Sequence, residues 1–96
     1  MVNDSATRKV VVLNPAGLHA RPSLAVVQTV RRCRSKVEVC TPRQNVDAGE
    51  ILQLLSLGAA QGTELVLSAS GPDAEEVLNQ LVDLFTNRFG LCGEPD

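Results

Sequence analysis

The stretch NPAGLHARPS, residues 14–23, contains the only histidine of the 96-residue chain and separates two segments of different pattern. The preceding TRKVVVL, residues 7–13, is short and rich in β-branched residues, which predicts a strand. A proline and a glycine then end that strand. Pro22 is tolerated only within the first turn of a helix. The sequence therefore predicts a helix that begins at or just after His19.

The remaining elements follow from the spacing of apolar residues. The first helix is predicted from Ala20 to about Cys33, with Leu24, Val27 and Val30 or Arg31 at helical spacing. The other predicted elements are strands at Lys36–Thr41, around Val46 and at Thr63–Ser70, a short helix from about Glu50 that Gly58 ends, and a last helix over about Asp73–Phe89. The apolar face of that last helix is predicted to comprise Ala74, Val77, Leu78, Leu81, Phe85 and Phe89.

The order β-α-β-β-α-β-α indicates a two-layer α+β domain with its helices on one side of an antiparallel sheet. Alternation along the strands predicts that the other face of the sheet is largely solvated. The length fits a single domain spanning residues 1–96, with a folded core at about 7–89. The polar residues 90–96 are expected to form a flexible C-terminal tail.

Composition excludes several classes of function. A formal charge of −2, a pI near 5.3 and the absence of Tyr and Trp argue against nucleic-acid binding, including a small RNA-binding α+β domain. Neither a signal peptide nor a run of ~20 apolar residues is present, so we expect a cytoplasmic protein without membrane insertion. The three cysteines lack metal-ligand spacing, so no metal site is expected and the thiols are expected to be reduced, with Cys92 the most exposed to oxidation.

His19 and its neighbours suit the binding of an anion. The N–H groups of a first helical turn and the helix dipole attract phosphate, and the same dipole disfavours an imidazolium. Arg21 adds a cation whose forked donors fit a phosphoryl group, and Gly17 permits a sharp turn before the site. These features favour reversible phosphorylation of the ring. The physical argument leaves open a surface histidine without function beside an arginine that is merely solvated.

The motif GLHARPS, residues 17–23, closely resembles the active centre of the HPr family, the histidine-containing phosphocarriers of the bacterial phosphotransferase system. A second motif, LLSLGAAQGTELVLSASGPDAEEVLNQL at residues 54–81, is similar to the second half of that family. The resemblance covers about Thr7 to Phe89. It implies an HPr-like open-faced β-sandwich, in which four antiparallel strands are covered on one face by three helices.

The resemblance also implies a function. His19 would accept a phosphoryl group from phosphoenolpyruvate-charged enzyme I, on its Nδ1 atom, and pass it to the histidine of an enzyme IIA component. Arg21 matches the family arginine that contacts the phosphoryl group, and the backbone N–H groups of Ala20 and Arg21 would complete the cradle. Such a protein is a phosphoryl-transfer intermediate rather than a self-standing enzyme, needs no cofactor and is expected to be monomeric.

The system served is left open, either sugar transport or the regulatory nitrogen-type branch. A second alternative is an HPr-like regulator that acts by protein–protein docking alone, with regulatory proteins as partners. Retention of both His19 and Arg21 argues against that alternative.

The short middle helix carries more apolar residues than it can hide, namely Ile51, Leu52, Leu54, Leu55 and Leu57. Some of them are expected to form an exposed docking patch near His19. By resemblance, Ile51, Leu52 and Leu55 match the docking positions for enzyme I and enzyme IIA. The alternative, that Ile51, Leu54 and Leu57 belong to the core, stays open. The basic residues Arg31, Arg32 and Arg34 are expected either to steer acidic partners or simply to balance the helix dipole.

Two positions depart from the family pattern. Glu50 stands where many relatives carry a serine that a regulatory kinase phosphorylates, so that control is expected to be absent. One hypothesis is that Glu50 acts as a fixed negative charge that weakens docking to some partners. Ser23 stands where the family usually has alanine, and we assign it no role. The added C-terminal residues leave open whether the chain end lies near the site.

Overall fold

A computed structural model describes residues 5–90 and shows an antiparallel sheet with helices packed on one face, which confirms the predicted architecture. In chain order the elements are β1 (Ser5–Val11), α1 (Ala20–Arg31), β2 (Lys36–Cys40), β3 (Asn45–Asp47), α2 (Ile51–Ser56), β4 (Glu64–Ser70), α3 (Ala74–Thr86) and a short 3-10 turn (Arg88–Gly90). Most predicted boundaries differ from these by one or two residues, as is usual where the ends of elements fray.

The sheet has the strand order β1-β4-β2-β3, and every neighbouring pair is antiparallel. Side chains alternate between its two faces. On β4, Leu65 and Leu67 are fully buried, whereas Val66 between them is 36% exposed. Val66 pairs with Lys9 of β1 and with Cys40 of β2, so one row of the solvated face runs across three strands. The predicted solvated face is therefore present.

The third helix covers the sheet through the apolar face that its sequence predicts. Its buried residues are Ala74, Val77, Leu78, Leu81 and Phe85. The prediction that the helix continues to Phe89 is wrong, because it ends at Thr86 and the backbones of Arg88 and Phe89 have φ angles of 52° and 57°. The ring of Phe89 still packs edge-on against Phe85, at a centroid distance of 4.8 Å. The left-handed turn lets Phe89 reach the core from outside the helix, so apolar spacing alone extended the helix too far.

The first helix begins where Pro22 predicts, but its buried face is shifted. Leu24, one of the apolar residues predicted at helical spacing, is 49% exposed and so does not belong to the buried face. The buried stripe instead passes through Ser23, Val26, Val27 and Val30, at i, i+3, i+4 and i+7. Ser23 can lie within this stripe because its hydroxyl donates a hydrogen bond to the carbonyl oxygen of Leu18, at 3.1 Å. Because Ser23 is polar but forms its hydrogen bond locally, with Leu18, the apolar pattern did not reveal which face of α1 is buried.

The start of α3 is fastened to the loop that joins α1 to β2. The Asp73 carboxylate accepts a hydrogen bond from the Ser35 hydroxyl at 2.5 Å and one from the backbone N–H of Arg34 at 3.0 Å. The hydroxyl of Ser35 in turn accepts the N–H of Asp73, at 3.2 Å. The hydrogen bond from Ser35, followed by that from Arg34, holds the pKa of Asp73 below its ordinary value of 3.8.

The cysteines of the described residues are Cys33 and Cys40. Cys33 and Cys40 are free thiols and partly buried. Burial raises the pKa of both, and the nearby carboxylates of Asp73 and Glu76 add to the effect at Cys33. Cys92, predicted to be the most exposed to oxidation, lies outside the described residues, as does the predicted tail beyond Gly90. Within residues 5–90, no helix has the length and apolar character to span a membrane.

Candidate functional site

The loop between β1 and α1 holds His19 at the first position before the helix. His19 occupies the N-cap of α1 with extended backbone angles, φ −89° and ψ −160°. Gly17 makes the turn possible with a φ of 77°, and its N–H donates to the carbonyl of Asn14 at 2.9 Å. The N–H of Leu18 donates to the carbonyl of Ala59, at 2.8 Å. A Cβ atom on Gly17 would collide with that same carbonyl oxygen, so only glycine allows this close approach.

The first turn of α1 is arranged for an incoming anion. The N–H of Ser23 already donates to the carbonyl of His19, at 3.0 Å, and Pro22 has no N–H to offer. Helix geometry aims the N–H groups of Ala20 and Arg21 out of the helix end. This turn contains no acidic residue, whereas it does contain the exposed Arg21. The first turn thus combines the guanidinium of Arg21 with the positive end of the helix dipole.

The imidazole lies at the rim of an open cavity of about 350 Å³. Its lining residues are Ala16, Leu18, His19, Leu55, Gly58, Ala59 and Ala60. His19 is half-buried, and its Nε2 atom is buried within the protein.

The short helix α2 presents apolar side chains beside this cavity. Leu54 is fully buried and anchors the helix, whereas Leu52 is 78% exposed and Leu55 is 37% exposed. Ile51 and Leu57 are partly buried against the core. The residues matched to docking positions therefore divide into two exposed leucines and one half-buried isoleucine.

Leu24 is an exposed apolar residue of α1 whose exposure the sequence reasoning missed. It was predicted at helical spacing with Val27 and Val30, but it is exposed, in the second turn of α1 and five residues after His19. The signal that could have located it is the position of Pro22, which is buried in the first turn and so sets which face of α1 turns inward. Together with Leu52 and Leu55 it gives three exposed leucines on the two helices that follow the site.

The basic end of α1 is not uniform. The Nε atom of Arg31 donates to the carbonyl of Gly49 at 3.0 Å, and a terminal nitrogen of Arg31 lies 3.5 Å from a carboxylate oxygen of Glu50. Within residues 5–90, the guanidinium groups of Arg32 and Arg34 form neither ion pairs nor hydrogen bonds. Glu50, the N-cap of α2, thus has a counter-charge supplied by the protein itself.

The end of α3 reaches the loop before the histidine. The side-chain N–H of Asn14 donates to the carbonyl of Arg88, at 3.1 Å, and Asn14 is almost completely buried. The turn at residues 88–90 therefore lies against the same loop that positions His19. The residues beyond Gly90, whose proximity to the site the sequence left open, are outside the described part.

Comparison with known proteins agrees with this geometry. A family model described as the PTS HPr component phosphorylation site matches residues 6–87. The chain is 38% identical to the phosphocarrier protein HPr of Treponema pallidum over 85% of this chain and 93% of the relative. Among solved structures, HPr-C-His from Thermoanaerobacter tengcongensis matches with a TM-score of 0.85 and 39% identity, over 88% of this chain and 96% of that one.

A phosphocarrier protein HPr from Bacillus anthracis also matches, with a TM-score of 0.81 and 29% identity over 86% of this chain and 99% of that one. The sequence match, the sheet order and the three helices agree over nearly the whole described region. The chain belongs to the HPr family, the phosphocarriers of the bacterial phosphotransferase system.

Proposed function

We propose that this protein carries a phosphoryl group on Nδ1 of His19, which it receives from phosphorylated enzyme I and passes to an enzyme IIA component. The observation that carries the proposal is the placement of the chain's only histidine at the N-cap of α1, with Nε2 buried and Arg21 two residues on. A phosphoryl group on Nδ1 would meet a helix end that is positive and free of acidic residues.

The transfer is an exchange of one P–N bond for another. The lone pair on Nδ1 of a neutral imidazole attacks phosphorus, and the P–N bond to the donor histidine breaks as the new bond forms. The electron pair of the broken bond returns to the donor nitrogen, while His19 keeps its proton on Nε2. The guanidinium of Arg21 and the N–H groups of the first turn stabilise the charge on the phosphoryl oxygens during both transfers.

Docking would place a partner over the cavity beside His19. Leu24, Leu52 and Leu55 are exposed apolar side chains of the kind that a partner surface buries. Ile51, half-buried beneath them, would support this patch. Because Leu55 also lines the cavity, the apolar patch and the phosphoryl site form one continuous surface.

In this function the protein works in the cytoplasm as a single domain. The cysteines of the described residues are free and have raised pKa values, which suits a reducing compartment. The regulatory kinase that phosphorylates a serine in many relatives would find no hydroxyl group at Glu50. The charge of Glu50 is offset by Arg31, which argues against a strong repulsive effect of Glu50 on partners.

The function is tested by incubating the protein with phosphoenolpyruvate and enzyme I. We expect one phosphoryl group per chain, labile in acid and stable in base, that is absent when enzyme I is omitted. His19→Ala should form no adduct while retaining the circular dichroism spectrum of the wild type. Adding an enzyme IIA should discharge the wild-type adduct. An adduct that persists in His19→Ala, or no adduct on the folded wild type, would contradict the proposal.

A further inference from the structure

We propose that Arg31 is a positioning residue that holds α2, and with it the apolar docking patch, in the orientation that phosphoryl transfer needs. This inference rests on the proposed function for its kinetic consequence, but not for its structural one. It differs from the two expectations drawn from sequence, in which Arg31 either steers partners or balances the dipole of its own helix.

The helix α2 cannot hold its own position. It has six residues, and helices of this length are not stable by themselves in water. Leu54 is its only fully buried residue, and no side chain caps its N-terminus. Ile51 and Leu57 pack against the core only in part, so apolar contacts fix the orientation of the helix weakly. The orientation of Leu52 and Leu55 must therefore be set by contacts at the ends of the helix.

Arg31 supplies such a contact from α1. Its planar group reaches two acceptors at once, the Gly49 carbonyl at 3.0 Å and the Glu50 carboxylate at 3.5 Å. Both acceptors lie directly before the first residue of α2. A guanidinium suits this double contact because its donors point in fixed directions. The two helices that carry the histidine and the exposed leucines are thereby joined by one side chain.

The segment before α2 is ordered by further polar contacts that place these acceptors. The Asp47 carboxylate accepts the N–H of Gly49 at 2.8 Å, and the side-chain carbonyl of Gln53 accepts the N–H of Asp47 at 2.9 Å. These contacts stay within the short segment and α2. The N–H of Ala48 also ties the segment to β2, by donating to the carbonyl of Val37 at 2.9 Å. Among the polar contacts of the described residues, the link from this segment to α1 is made by Arg31, so its loss should loosen α2 on the side that faces α1.

Arg31 has a second effect, on charge. Glu50 is about half exposed at the tip of the docking helix, and the guanidinium beside it neutralises it locally. Without Arg31 an acidic partner would meet an uncompensated carboxylate next to Leu52. The position of α2 and the charge at its tip thus depend on the same residue, and they can be separated by experiment.

The structural part is tested by amide hydrogen exchange on the protein alone. The probe is the N–H of Leu54, which donates to the carbonyl of Glu50 across the first turn of α2, and the reference is the N–H of Val77 in α3. Arg31→Ala should speed exchange at Leu54 about fivefold and leave Val77 unchanged, as expected for the loss of an exposed charged contact. Arg32→Ala is the matched control, because it removes the same charge at the next residue without breaking a hydrogen bond.

The functional part is tested by transfer from phosphorylated enzyme I. Arg31→Ala should raise KM about fivefold with kcat within about twofold, since docking and not chemistry is affected. Arg32→Ala should raise KM less. In the Glu50→Gln background the KM effect of Arg31→Ala should shrink, because no bare carboxylate remains, while exchange at Leu54 stays fast. Arg31→Lys should give intermediate values of both quantities.

The outcomes are separable. Equal exchange at Leu54 in the Arg31→Ala and Arg32→Ala proteins would overturn the proposal, as would faster exchange with an unchanged KM. Equal KM effects of the two variants, with exchange unaltered, would show that Arg31 acts through charge steering alone. If even the wild type accepts no phosphoryl group, the proposed function fails, and the exchange data still decide whether Arg31 holds α2.

Discussion

The two long helices begin in opposite ways. At the start of α3, the chain supplies its own anions, with Asp73 hydrogen-bonded to Ser35 and Arg34 and with Glu75 and Glu76 in the first turn. At the start of α1 there is no acidic residue in the first turn, and Arg21 adds a positive charge. Every helix start carries a partial positive charge, which acidic side chains of the first turn offset in α3, whereas the first turn of α1 contains no such side chain.

This difference teaches where an external anion can act. The N-terminus of α3 is a structural joint, tied to the loop after α1 and to β1 through the ion pair of Arg8 with Glu75. Under the proposed function, the N-terminus of α1 is the end that receives the phosphoryl group. We therefore expect the absence of an acidic residue in the first turn of α1 to matter for the proposed phosphoryl site.

The largest effect in this comparison is expected at Arg21. Arg21→Ala removes the only side-chain cation of the first turn of α1 and should slow transfer from phosphorylated enzyme I about a hundredfold, the scale of a lost charged donor at a reacting centre. Steady-state kinetics measure the loss. Arg21→Lys keeps the positive charge but lacks the paired donors of the guanidinium, so it should recover part of the transfer rate. A rate unchanged in Arg21→Ala would remove the guanidinium from the mechanism.

A smaller effect is expected when α1 is given the acidic start of α3. Ala20 is exposed at the first helical position, so Ala20→Glu should leave the melting temperature equal or raised. The new carboxylate would compete for the site that the phosphoryl group occupies and slow transfer about tenfold through repulsion. Ala20→Gln, of the same size without the charge, is the control. Equal rates for the two variants would show that the absence of an acid at this turn is irrelevant.

The reverse change at α3 should affect stability and not transfer. Asp73→Asn weakens the hydrogen bonds that tie α3 to Ser35 and Arg34, and we expect the melting temperature to fall by a few degrees. Ser35→Ala, which removes the partner hydroxyl, should act similarly, and the two losses should not add. Calorimetry and the transfer assay measure the two quantities. If Asp73→Asn lowered the transfer rate as well as the melting temperature, the result would contradict a purely structural role for the start of α3.

The smallest effect is the pH dependence of that joint. Because the folded-state pKa of Asp73 is lowered, its stabilising contribution is fully present above its ordinary value of 3.8 and is lost as pH falls through the folded-state pKa. The difference in melting temperature between wild type and Asp73→Asn should be constant near neutral pH and should shrink below about pH 4. A difference that persists unchanged in strong acid would show that the charge of Asp73 does not stabilise the joint.

Much of the fold is readable from the sequence because its signals are local. Pro22 and Gly17 locate the start of α1, and alternation along β2 and β4 identifies the buried face of the sheet. Two predictions were wrong because they depend on contacts that a local sequence pattern does not indicate. Leu24 is exposed because the satisfied Ser23 takes a place in the buried stripe, and Phe89 contacts the core through a left-handed turn after the helix has ended.

Some features of the candidate site likewise follow from the local sequence, and others depend on the tertiary structure. His19 and Arg21 lie within one short motif, so their proximity follows from the sequence. The contact of Arg31 with Gly49 and Glu50 joins residues nearly twenty positions apart and depends on how α1 and α2 pack. The burial of Nε2 of His19 likewise requires the folded protein, because ring orientation is set by tertiary neighbours.

The most direct test of the phosphoryl site is heteronuclear NMR of the histidine ring before and after phosphorylation by enzyme I. The chain has a single histidine, so its two ring nitrogens can be assigned without ambiguity. We expect the phosphorus coupling to appear on Nδ1, with Nε2 remaining protonated and Ala20→Glu reducing the extent of labelling. Phosphorylation on Nε2, or labelling that leaves both ring nitrogens unchanged, would contradict the assignment of the phosphoryl group to the open end of α1.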